Sequence, residues 1–97
     1  MEVTLTANGR VDGSRIKQFR LDGPPRAVVR LLGARKAFPR KSIPIESPHL
    51  GGIRTGWHRD RSGGPELHVV FDLKQASWRI RDLRAEGRQV VVVLGPG

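Results

Sequence analysis

The stretch Leu67-His68-Val69-Val70-Phe71-Asp72-Leu73 decides the fold. Leu67, Val69, Phe71 and Leu73 alternate with His68, Val70 and Asp72, and a two-residue period places the first set on one face of a β-strand. Similar runs, rich in β-branched and aromatic residues, occupy residues 3–6, 15–21, 26–32, 52–59, 66–74, 77–83 and 88–94. Turn-forming groups separate them: Asn8-Gly9, Asp12-Gly13, Gly23-Pro24-Pro25 and Ser62-Gly63-Gly64-Pro65. No segment carries a helical apolar stripe of ten or more residues, so the reading is all-β.

Between residues 33 and 50 the pattern is less regular. Ala34 to Phe38 could form one helical turn before Pro39, and Ile43-Pro44-Ile45 a short edge strand, where proline is tolerated. This connection is expected to cross one end of the fold, tied down by Phe38 and Ile45. The chain has 97 residues, of which 27 are Ile, Leu, Val or Phe. That suffices for one small core and not for two, which excludes multi-domain machines and large cofactor-binding enzymes.

An internal repeat follows from placing the strands. Residues 21–33 written over residues 83–95 match at Leu21 and Leu83, Arg26 and Arg88, Val28 and Val90, Val29 and Val91, Leu32 and Leu94, and Gly33 and Gly95. Each half thus ends in a hairpin whose second strand begins after an arginine. Two such β units in a short chain predict a small β-sandwich of two related antiparallel sheets with an internal pseudo-repeat. The continuous run over 90–93 suits a strand covered on both sides, or one whose outer face meets a partner.

Residues 19–31, Phe-Arg-Leu-Asp-Gly-Pro-Pro-Arg-Ala-Val-Val-Arg-Leu, resemble the AMIN domain pattern, in which a leucine, a proline turn and an arginine precede an "LVVDL" strand. Ile53-Arg54-Thr55-Gly56-Trp57 resembles that family's "I-R-x-G" strand, and Val69-Val70-Phe71-Asp72-Leu73 is similar to its following "RVVLDL" strand. The resemblance runs from about Arg15 to Gly95. It implies a single AMIN-like β domain over residues 1–97, cut from a longer envelope protein such as an N-acetylmuramoyl-L-alanine amidase or a secretin. It further implies a non-catalytic peptidoglycan-binding and localisation module in the periplasm or cell envelope. One departure is Arg30, which stands where the family's first strand carries an acidic residue, whereas Asp72 is kept in the second.

The charge supports a polyanionic partner. There are 18 basic and 9 acidic residues, a net +9, and 14 of the basic residues are arginine. Arginine grips carboxylate or phosphate through a planar fork, and tryptophan can stack on a sugar face. The candidate ligand-binding residues are Arg26, Arg54, Trp57, Arg59, Arg79 and Arg81. Alternation sets Arg79 and Arg81 on one face with Trp78 and Ile80 on the other, and Arg54 opposite Trp57. Asp72 and Arg88 are assigned structural roles. Arg26 and Arg88, matched in the repeat, are each expected to tie a hairpin to a carbonyl or carboxylate, with Asp72 a candidate partner.

Chemistry by the chain itself is not expected. There is no cysteine, and His49, His58 and His68 lack the short spacing of a metal site. The serines sit in turn-like contexts without a base, and Gly51-Gly52-Ile53-Arg54-Thr55-Gly56 lacks the Gly-Lys-Ser/Thr of a phosphate loop. No cofactor is implied. The longest apolar run, residues 90–94, is too short to span a bilayer, so membrane insertion is not expected. The N-terminus lacks a signal-peptide pattern, which leaves a cytosolic chain or a domain of a longer exported one, its export signal lying outside this sequence. Two alternatives remain: a basic nucleic-acid-binding β domain, and a module docking envelope proteins by an edge strand. Nucleic acid is disfavoured because aromatics are few and Phe19 and Phe71 read as buried.

Overall fold

The strand singled out above, β6 (Pro65–Leu73), is paired on both edges. On one side lies β3 (Arg26–Leu32), on the other β5 (Leu50–Arg59), both antiparallel to it. The computed structural model describes residues 1–6, 11–32, 42–44, 48–59 and 64–97, with the backbone course alone over 42–44. Within these, β2 (Ile16–Leu21) and the short β4 (Ser42–Pro44) complete a five-stranded sheet in the order β2-β3-β6-β5-β4. A three-stranded sheet, β1-β8-β7, is built from β1 (Glu2–Thr6), β7 (Trp78–Glu86) and β8 (Gln89–Pro96). The chain is an all-β sandwich of two antiparallel sheets. The strand at Ile43 and Pro44 lies at the sheet edge, as its proline requires. The expected helical turn at Ala34–Phe38, the anchoring by Phe38 and Ile45, the Asn8-Gly9 turn and most of the Ser62–Pro65 turn lie outside the described residues.

Alternation supplies the core. Leu67, Val69, Phe71 and Leu73 are all buried, and their cross-strand neighbours Ala27, Val29, Leu31 and Ile53 join them. From the smaller sheet Leu5, Val90, Val92, Leu94, Trp78 and Ile80 close the cluster. Trp78 is stacked on His49, their ring centres 4.0 Å apart. The expected division of β7 is present: Trp78 and Ile80 are buried, Arg79 and Arg81 exposed.

Phe19 departs from the expectation of burial. β2 turns Ile16, Gln18 and Arg20 toward the side shared with Leu31, Val29 and Ala27, so Phe19 faces outward and is 37% exposed. The reason is the period of the strand: Ile16, not Phe19, is the apolar residue in phase with the core.

The repeat also takes an unexpected form. Both hairpins exist, but the 62-residue offset exchanges inside for outside. Val29 belongs to the core cluster while its match Val91 does not, and Val90 belongs while its match Val28 does not. The turns differ too. The first hairpin turns immediately after Leu21, through Asp22–Pro25 with Gly23 at φ 69°, whereas β7 runs three residues past Leu83 before Gly87 turns it at φ 61°. At both glycines the left-handed backbone excludes most side chains. Val28 and Val91 are nevertheless buried on outer faces. In their cross-strand rows Val28 lies between Phe19 and Val70, and Val91 between Thr4 and Arg84.

Arg20 fastens the two sheets along one side. Its guanidinium donates to the carbonyls of Trp78 (3.1 Å) and Ala76 (2.6 Å), and to Asp22 (3.1 Å). At the other end of the same pair of strands, a Cβ on Gly13 would lie 3.8 Å from that of Ala85, so β2 and β7 run side by side in opposite directions. Gly13 itself opens a single 3-10 turn whose cap, Asp12, accepts from the Ser14 amide at 2.9 Å. Lysine cannot reproduce Arg20's planar fork. Arg20→Lys is expected to lower unfolding free energy by about 1–3 kcal/mol in urea titration; an unchanged midpoint would contradict this clamp.

Candidate functional site

The sequence candidates fall into three separate places. The first is the outer face of the five-stranded sheet. β6 directs Glu66, His68, Val70 and Asp72 outward, opposite the core set. Asp72 is paired, as an acidic residue in an apolar strand should be, but its partner is Arg54 rather than Arg26 or Arg88. Arg54 grips both carboxylate oxygens, at 2.8 and 2.7 Å, which raises its own pKa. The register explains the choice. Arg26 lies directly opposite Asp72 yet turns back to the carbonyl of Pro24 at 3.2 Å, closing its own turn, while Arg54 reaches Asp72 along the diagonal from β5. The hairpin tie expected of Arg26 is therefore present. That of Arg88 is not: the Gly87 turn and the pairing of Glu86 with Gln89 close the hairpin, and Arg88 is exposed without a partner among the described residues.

The same face holds a cluster that sequence reasoning missed. Glu66 is only 2% exposed although no second layer is described over it. Arg30 donates to both its carboxylate oxygens, through Nε and Nη2, the latter at 3.0 Å. The His68 ring nitrogen Nε2 lies 2.6 Å from the same carboxylate. His58 stacks on His68 at 3.9 Å between ring centres, and Phe19 meets His68 edge-on at 5.8 Å. Arg30 thus finds its counter-charge one strand away. The signal available was the alternation itself, which puts Glu66 and His68 on one face of β6. Their partner across the sheet was not readable without the register.

The second place is the far end of β5. Trp57 and Arg59 share the inward-facing row with Ile53, but the indole is 46% exposed. Arg54 lies in the opposite row, as expected. Trp57, His58, Arg59 and Pro65 line an open depression of about 430 Å³. Arg59 is exposed and has no carboxylate partner among the described residues.

The third place is the start of β7. Arg79 and Arg81 lie over a stretch of β8 that is nearly free of side chains. Arg79 is opposite Gly95, Arg81 donates to the Pro96 carbonyl, and a Cβ on Gly97 would collide with the Arg79 side chain at 2.0 Å from Nε. Alternation puts Arg81 outward beside Arg79, and the bulge between Ile80 and Asp82 turns Asp82 outward as well, which returns Leu83 and Ala85 to the core side. Their neighbour Arg84 differs sharply, being bridged by Asp82 (2.6 Å) and Glu86 (2.7 Å). Arg30, Arg54 and Arg84 are thus neutralised on the spot, whereas Arg59, Arg79 and Arg81, like Arg88, have no carboxylate partner among the described residues. Among the described residues no three His, Asp or Glu side chains form a metal-holding group.

The Glu66 cluster has a pH consequence. Bonding by Arg30, then by His68, holds the Glu66 carboxyl down to about 2 against its burial. A carboxylate with a lowered folded-state pKa stabilises the fold above its ordinary value and loses that contribution as pH falls through the folded value. The stability advantage of the native chain over Glu66→Gln is therefore expected to be full above about pH 4.5 and to shrink toward about pH 2, in melts followed by circular dichroism. A difference independent of pH over that window would contradict the pairing.

No protein-family model matches the chain, no curated protein matches it, and no solved structure matches its fold.

Proposed function

We propose that this domain is a non-catalytic, AMIN-like module that holds a larger cell-envelope protein on peptidoglycan in the periplasm. The observation that carries the reading is that the exposed Trp57 indole and Arg59, which has no carboxylate partner among the described residues, share one row at the end of β5. Peptidoglycan offers sugar faces for the indole and stem-peptide carboxylates for the fork. Arg79 and Arg81 supply a second cationic point on the other sheet, fitting a polymer that repeats its carboxylates. Arg26 and Arg54, engaged by Pro24 and Asp72, are not required for capture. Single-site affinity is weak and falls with salt, since each contact is exposed.

A second reading, a nucleic-acid binder, gains support from one observation. Phe19, expected inside, lies on the outer sheet face in a row of rings with His68 and His58. Stacking rings on a basic sheet is how single strands are held. Against it, Arg30 and Arg54 on that face are already neutralised by Glu66 and Asp72.

Co-sedimentation with purified sacculi at about 0.15 M salt, beside RNA and heparin as competitors, separates the two readings. The wall reading expects binding that survives competitor and is lost when stem peptides are removed. Trp57→Ala, and Arg79→Ala with Arg81→Ala, are each expected to weaken it about tenfold, or about 1.4 kcal/mol. Capture by RNA with sacculi left unbound would contradict the wall reading.

A further inference from the structure

We propose that the open edge of β1 is a docking site for an extended, acidic segment of another protein, which would add to the smaller sheet as a fourth strand. The inference comes from comparing the four sheet edges. A free strand edge invites pairing, and proteins blunt such edges with prolines, bulges, charges or short length. β4 is three residues long and ends in Pro44. β7 is interrupted by the bulge between Ile80 and Asp82 and carries Arg79, Arg81, Asp82, Arg84 and Glu86. β2 runs against β7, bridged to it by Arg20. β1 has no proline or bulge, and its one charge, Glu2, stands at its first residue. Its sequence, Glu-Val-Thr-Leu-Thr, holds no proline or lysine, and it pairs with β8 in unbroken register from Glu2 to Thr6.

The register also says which groups are on offer. Met1 and Leu94 exchange both backbone bonds, at 2.9 and 2.7 Å. In an antiparallel ladder such pairs alternate, so Val3 and Leu5 point their peptide groups at β8 while Glu2, Thr4 and Thr6 point theirs away. No hydrogen bond reaches those outward groups among the described residues. The inner row beside them is incompletely covered: Val3 is only half-buried, and the smaller sheet has three strands over five. An added strand would continue the Val3 and Leu5 row with its own apolar side chains.

Charge selects the occupant. A second copy would bring two chains of net +9 together, whereas an acidic segment complements that charge. Backbone bonds supply the affinity and alternate side chains the selectivity. The site is distinct from Trp57–Arg59 and Arg79–Arg81, so loss of sacculus binding leaves it untouched.

The test uses the full 97-residue chain, labelled with nitrogen-15, and a capped peptide that alternates valine with glutamate. Saturating peptide is expected to slow hydrogen exchange at the Glu2, Thr4 and Thr6 amides by at least about tenfold, with binding weakened by salt. Thr4→Pro removes one outward N–H while leaving the bonds to β8 in place. It is expected to raise the dissociation constant at least about tenfold without lowering the melting temperature. Should it lower the melt, Glu2→Pro at the frayed start of β1 carries the same comparison. Lack of peptide binding at about 1 mM, equal binding by the proline variants, or protection elsewhere would overturn the proposal. So would protection of the same amides in concentrated protein without peptide, because the occupant would then be a second copy.

Discussion

Everything in this fold depends on β6 being paired along both edges while burying one face in the core. A strand so placed has no freedom of register: a slip by one residue would turn Phe71 and Val69 to solvent and drive Glu66, His68 and Asp72 inward. With the register fixed, the outward carboxylates come to defined points on the sheet. Glu66 then takes Arg30 and His68, and Asp72 takes Arg54. The apolar period thus decides where the charges meet.

That sorting matters more than the net charge. A chain of +9 could scatter its cations evenly, but here several are cancelled at short range. Arg84 is held between two acids on its own strand, and Arg20 is committed to backbone carbonyls across the sandwich. Exposed pairs of this kind add little stability each; their larger effect is to remove those residues from competition for a ligand. Of the cations with no carboxylate partner among the described residues, Arg59 lies two residues along β5 from an exposed indole and Arg79 and Arg81 lie over glycines, where a flat guanidinium can meet an anion without obstruction.

Much of the fold was legible because strand period is local. The strand at 26–32 coincides with β3, and the edge placement of Pro44 followed from its missing N–H. Trp78 in and Arg79 out followed from alternation next to Ile80. What failed was phase between distant strands. Phe19 looked like core from its apolarity, yet the neighbouring Ile16 occupied the inward phase. The repeat looked structural because valine runs resemble one another, and only the pairing reveals that Val29 and Val91 face opposite ways. The partner of Asp72 was missed for the same reason, since a diagonal contact between β5 and β6 depends on register. Of the candidate site residues, Arg79 and Arg81 were legible as neighbours because they are two apart in one strand. Trp57 and Arg59 were not joined, since the polar residues after Trp57 read as a turn, whereas β5 runs on to Arg59. That the two pairs lie on different sheets was not legible either.

The two tryptophans offer the most direct test of the wall-anchor account. Trp78 is buried against His49, and Trp57 stands exposed beside Arg59. Titration of the nitrogen-15-labelled chain with a soluble muropeptide, followed at the two indole Nε1–H resonances, separates them cleanly. The account predicts that the Trp57 resonance moves with added ligand while that of Trp78 stays fixed. Movement confined to the Phe19 and His68 face, with the Trp57 indole unchanged, would contradict it.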